Sequence, residues 1–233
     1  MKGYQVISMA GQSLLSAGLV SSLLLISYFA FEPMVTKAAT TASFTVTQEI
    51  TGEISITTPP TNVTMSSSIA GMTGGSASGY TDVRVTSNNA TGYNMTIAFS
   101  NAVAMKHHTL ANTIPNYVPA VAGTPDYSFV MPTNSAGFAY NIDASDVATD
   151  VAAKFRDSGS VCGTGNLVTS DSCWYGTADA TMAETIVNRP NATPALGAET
   201  TIGFHVGVDA NPSPALPTGF YTATATLTVA NNP

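Results

Sequence analysis

Between Phe220 and Val229 the chain alternates without a break. Tyr221, Ala223, Ala225, Leu227 and Val229 occupy one set of positions, and Thr222, Thr224, Thr226 and Thr228 the other. Successive side chains of a β-strand point to opposite faces, so a period of two over nine residues dictates a strand with one dry and one wet face. Threonine suits the wet face, because its branched Cβ fits a pleated surface while its hydroxyl meets water. Pro217-Thr218-Gly219 supplies the turn into it. This run is expected to be a central or closing strand of an antiparallel domain.

The same period recurs upstream. Ser43–Ile50 and Glu53–Thr57 are strand candidates, with Phe44, Val46, Ile54 and Ile56 on the dry face. Asn62–Met65 and Asp82–Thr86 follow, separated by a glycine-rich stretch, Gly71–Gly79, expected to form a loop. Gly92 opens Tyr93–Ser100, with Tyr93, Met95, Ile97 and Phe99 inward. Tyr127–Met131 and Gly137–Ile142 look like a hairpin, and Thr200–Asp209 turns Ile202, Phe204, Val206 and Val208 inward and His205 outward. One stretch changes period: Val147, Val151 and Phe155 recur every fourth residue, Ser145 can cap, and Asp150 can pair with Lys154. A short helix over Ser145–Phe155 is therefore expected. Many strands, one helix and no βαβ alternation predict an all-β, antiparallel β-sandwich of Ig-like or jelly-roll-like kind. The domain should run over residues 40–233, with an irregular, proline-punctuated insertion around 101–190.

Residues 1–39 are of another kind. Leu14–Phe31 is an apolar run of 18 residues. At about 1.5 Å per residue such a helix reaches across the hydrocarbon of a bilayer. Three readings stand side by side: a cleaved signal peptide with a small-x-small site at Thr36-Lys37-Ala38, an uncleaved membrane anchor through residues 14–31, and a prepilin processed after Gly11. The third rests on Gly11-Gln12-Ser13-Leu14-Leu15, which resembles the processing region of type IV pilins. It implies a filament subunit with residues 12–31 as core helix, although Ser16 stands where such pilins place an acidic residue. All three put the domain outside the cytoplasm, at the cell surface or secreted.

Charge then narrows the partners. The chain carries a net charge of -7, and only Arg84, Lys106, Lys154, Arg156 and Arg189 are basic beyond Lys37. That cannot build a phosphate-tracking patch, so nucleic acid is excluded as a partner. The two cysteines, Cys162 and Cys173, stand eleven positions apart behind an export segment. They are expected to form a disulfide, whose loop closure is worth about 3 kcal/mol. Two thiols without a neighbouring histidine make a poor metal site. Trp174 beside the bridge either packs on it or offers a ring to a ligand.

Reactive groupings are sparse. His107-His108 reads as a pair of solvated loop residues, and Asp143, Asp146 and Asp150 lack the glycine and closing glutamate of a calcium loop. No Gly-x-Ser-x-Gly elbow and no phosphate loop occurs. The expectation is a protein that is not an enzyme and needs no cofactor or metal. A surface hydrolase is the competing reading, and would need Glu49, Glu53 or Asp82 to meet Glu184 or Glu199 in space.

Gly92-Tyr93-Asn94-Met95-Thr96-Ile97, the closing stretch from Gly219, and Pro60–Met65 together resemble the WxL-type cell-surface domain of Gram-positive bacteria. Tyr93 and Leu227 stand where that family has tryptophans, with Met95 and Val229 at the paired leucines. The resemblance implies a surface-exposed β-domain that engages the cell envelope or a wall polymer, with Tyr93, Met95, Leu227, Val229 and Trp174 as candidate surface-binding residues. Self-association is the other partner class. The region from Lys154 to Trp174 is also similar to uncharacterised secreted proteins of small-genome bacteria.

Overall fold

The computed structural model describes residues 42–177 and 182–233, and the chain divides into two units after Gln48. The predicted apolar helix over Leu14–Phe31 lies outside the described residues. Among the described residues, no helix is long and apolar enough to cross a membrane. Residues 42–53 carry neither strand nor helix, so the strand expected at Ser43–Ile50 is absent as such.

Strand occupies 42% of the described residues and helix 3%, so this part of the chain is built from sheet. Among the described residues eleven strands run in order: β1 (Ile54–Thr58), β2 (Gly75–Ser87), β3 (Tyr93–Phe99), β4 (Met105–His107), β5 (Thr113–Ile114), β6 (Ala136–Ser145), β7 (Tyr175–Gly176), β8 (Glu184–Arg189), β9 (Ala198–Val208), β10 (Tyr221–Thr222) and β11 (Ala225–Asn231). A five-stranded antiparallel sheet has the order β1-β2-β9-β6-β7, and a three-stranded one the order β11-β3-β8. A small third sheet, β10-β4-β5, sits beside them. The arrangement is compatible with a β-sandwich.

The core follows from the alternation. Val83 and Val85 of β2, Phe138, Tyr140 and Ile142 of β6, and Ile202, Phe204 and Val206 of β9 share one buried cluster with Tyr93, Met95, Ile97 and Phe99 of β3. Phe99 spans the layers, its ring 5.9 Å from Phe138 and 5.8 Å from Tyr140. Rings at that spacing add edge-to-face attraction to simple burial.

Five expectations need correction. The glycine-rich stretch is loop only to Gly74, because β2 already begins at Gly75 and pairs along its length with β9. Asn62–Met65 is not a strand, and Tyr127–Met131 forms no hairpin with β6. The helix at Ser145–Phe155 is absent: two 3-10 turns, Ala148–Asp150 and Ala153–Phe155, flank an extended Val151 that bridges to Val187. Asp150 pairs with Arg189 and Lys154 with Glu184, so long-range ion pairs replace the expected i,i+4 contact. Finally, the Thr-rich run breaks at Ala223-Thr224. Its first part pairs with β4 and its second with β3, where it forms an edge and not a central strand.

Candidate functional site

One face of the five-stranded sheet carries a cluster of polar and aromatic side chains. Ser78 of β2 and His205 of β9 are direct cross-strand partners. Ser78 Oγ and His205 Nδ1 share a hydrogen bond of 2.8 Å. Over them lies chain from the irregular insertion. Phe129 stacks on Tyr117 at 4.6 Å and approaches the His205 ring at 4.3 Å, with the Trp174 ring 5.2 Å from His205. Gly207 of β9 makes this close approach feasible, because a Cβ there would stand 2.4 Å from Phe129; Gly203 on the same face makes room for Asn141, whose Oδ1 would be 2.1 Å from a Cβ.

The disulfide anchors the other wall. Cys162 and Cys173 are bonded, as expected, with their Cα atoms 5.6 Å apart. Asp157 organises the loop before Cys162: its buried carboxylate accepts hydrogen bonds from the Gly159 and Thr169 N–H groups and the Thr169 hydroxyl. The turn Asp171–Trp174 is thereby held against the sheet. Trp174 donates its indole N–H to the Asp171 carbonyl, and Asp171 accepts the Tyr80 hydroxyl at 2.6 Å. Together these elements border an open cleft of about 610 Å³, whose lining includes Ser76, Ser78, Tyr127, Phe129, Asp171 and His205.

Its electrostatics follow from this packing. Burial pushes the His205 imidazole below its ordinary value, against the pull of Asp171, which favours a neutral ring at neutral pH. The Tyr80 phenol is pushed up to about 12, first by its hydrogen bond to Asp171 and then by burial. Tyr117 is likewise pushed up to about 12, by burial and then by its bond to Asp126. The cleft thus presents serine hydroxyls, an imidazole held toward its neutral form and ring faces, beside the carboxylates of Asp171 and Asp209. Such a surface suits stacking and hydrogen bonding with a polar, hydroxyl-bearing chain.

Of the candidate surface residues, Trp174 borders this cleft, although it is only 2% exposed. Tyr93 and Met95, 1% and 0% exposed, are packed in the core. Leu227 and Val229 are half-buried against the core, opposite Ile97 and Met95. The ladder brings four of the five together, as packing. Trp174 belongs to a separate small cluster with Tyr117 and Ala139. His107 is buried and not solvated: its Nδ1 accepts the N–H groups of Thr109 and Leu110, and its Nε2 lies 3.1 Å from the Thr218 carbonyl.

Three of the five carboxylates considered for hydrolysis are bound to separate partners. Asp82 accepts the Thr201 hydroxyl, Glu199 pairs with Arg84, and Glu184, on β8 in the other sheet, pairs with Lys154. Among the described residues, no group of three His, Cys, Asp or Glu is placed to hold a metal ion. The cleft itself was missed in the sequence, although His205 facing outward on a strand with two glycines on the same face marks it. No protein-family model, no curated protein and no solved structure matches this chain.

Proposed function

We propose that this chain is an exported, non-enzymatic protein of the cell surface, an Ig-like or jelly-roll-like interaction module that works in wall attachment, adhesion or a surface layer. The observation that carries the reading is the Cys162–Cys173 disulfide. Disulfides persist where thiols are not continuously reduced, which is outside the cytosol. This bridge also holds the Asp171–Trp174 wall of the outer-face cleft, so compartment and binding surface depend on one bond. The ligand class that fits the cleft is a hydroxyl-rich envelope polymer, met by the Phe129 ring, the hydroxyls of Ser76 and Ser78 and the Asp171 carboxylate that Tyr80 holds in place.

Two measurements test it. Protease treatment of intact cells should degrade the domain, and recovery of the protein in the cytosol would refute the location. Co-sedimentation with purified cell envelope should fall when Tyr80→Ala and Phe129→Ala are combined. Undiminished sedimentation of that folded variant would remove the cleft from the function.

A further inference from the structure

We propose that the space between the two larger sheets takes up the acyl chain of a neutral lipid, a binding site separate from the outer-face cleft. Side chains alternate along β9, and the two sites use opposite faces of it. His205 lines the cleft, whereas Ile202 and Phe204 line this second space. Its other walls come from β3, β6 and β11 and from the segment around Val63 and Met65.

The slot has a volume of about 340 Å³. Close-packed interiors leave few voids larger than a water molecule, and an apolar cavity of about 150 Å³ already takes up benzene. Two lips frame the mouth. On one side the chain lies across β2: the Thr81 hydroxyl oxygen accepts the Thr61 N–H at 2.8 Å, and a Cβ on Gly79 would stand 2.4 Å from Val63. On the other side the Thr-rich run leaves β4 and joins β3, with the Ser100 N–H donating to the Thr224 carbonyl. The inward positions at this crossing are Ala223 and Ala225, between Tyr221 and Leu227. Two methyl side chains in a series of large ones leave the volume open.

Shape and charge select the ligand. The floor is made by Ile97, Phe99 and Ile202, each at most 1% exposed. Water hardly reaches them, so the slot narrows inward. A slender, flexible alkyl chain follows such a taper, and a rigid ring does not. The mouth carries Thr61, Asn62, Thr222 and Thr224, hydroxyls and an amide that can hydrogen-bond an ester or a glycerol head. Among the described residues that line the slot none is charged. A carboxylate head would find no cation there and would lose hydration on entry, and the net charge of -7 repels it at a distance. The head is therefore neutral, as in an acylglycerol.

Methionines report the site. Met65 and Met105 line the slot, Met131 lines the outer cleft, and Met72 and Met182 are exposed elsewhere. The mature protein, purified from cells expressing the full chain with methyl-labelled methionine and delipidated on a hydrophobic resin, is titrated with dodecanoylglycerol below its micelle concentration. The methyl resonances of Met65 and Met105 should shift to saturation while those of Met72 and Met182 stay. Dodecanoate should bind at least about tenfold more weakly, because its charge must be desolvated. Ala223→Leu should weaken dodecanoylglycerol binding at least about tenfold, because the added side chain displaces about two methylenes of the guest, without lowering the melting temperature. Ala225→Leu fills the same space from the next inward position and is read in parallel.

The proposal falls if Met65 and Met105 do not respond, or if Met131 responds in their place. It also falls if dodecanoate binds as tightly as the ester, or if the folded alanine variants bind like wild type. The slot and the outer cleft are read by different measurements. Failure of lipid uptake leaves the envelope-binding reading standing, and failure of envelope sedimentation leaves the lipid site standing.

Discussion

Asp150 and Arg189 form a buried ion pair, their side chains only 9% and 8% exposed. Arg189 sits at the end of β8 and also donates to the Asn191 and Ala192 carbonyls. Burial raises the Asp150 carboxyl above its ordinary range and Arg189 pulls it back down. Removing one partner strands a charge, which typically costs 3–5 kcal/mol. Asp150→Ala is therefore expected to lose about 3 kcal/mol in urea unfolding. The double variant Asp150→Leu/Arg189→Met should lose less than either single change.

The disulfide closes a loop between positions 11 apart. In the chain-entropy account a loop of that size is worth about 3 kcal/mol. Cys162→Ser/Cys173→Ser should lower the melting temperature by several degrees and reduce envelope binding, because the Asp171–Trp174 turn loses its tether. Peptide mapping without reductant should find one linked pair in the native protein.

His205 gives the domain an acid-sensitive side. The free imidazole protonates near pH 6.5, whereas burial holds the folded group lower. The unfolded chain therefore binds more protons in this window, and stability rises with pH. This contribution is complete above the unfolded value, and is lost as the pH falls through it toward the folded one. Urea midpoints at pH 7.5 and pH 5 should differ more for wild type than for His205→Asn. Equal differences would show that other groups carry the acid response.

Tyr93 and Tyr80 separate packing from binding. Tyr93→Ala empties a fully buried site and should cost about 3–5 kcal/mol, so any loss of envelope binding follows the loss of fold. Tyr80→Ala changes a 42%-exposed ring. It should leave the melting curve nearly unchanged and weaken binding in sedimentation with purified envelope.

Much of the sheet was legible because alternation and burial coincide. β3 and β9 carry strict alternation, and both were found within one or two residues. β8 was not. Its register slips between Met95 and Thr96 of β3, which leaves Ile186 as an extra residue and turns both Ile186 and Val187 inward. A bulge of this kind erases the period that identifies a strand. The helix expected at Ser145–Phe155 failed for the opposite reason. Its i,i+4 spacing is real, but Val151 is pulled into a bridge with Val187 and Asp150 toward Arg189. Tertiary contacts outweighed the local pattern.

The cleft was the least legible part, because its members come from β2, β9 and two stretches of insertion that only folding unites. His107 was misplaced because its burial depends on Gly219: a Cβ there would stand 2.2 Å from the His107 Nε2 atom. Nothing near position 107 announces that contact.

The place of β3 in its sheet has a temporal consequence. Both of its neighbours, β8 and β11, come from the last quarter of the chain. The most apolar strand therefore emerges early and waits, uncovered, until synthesis is almost complete. A topology so dominated by distant partners folds slowly. Under the proposed export, that delay would keep the nascent polypeptide loose enough to be threaded through a narrow translocation pore before the domain closes.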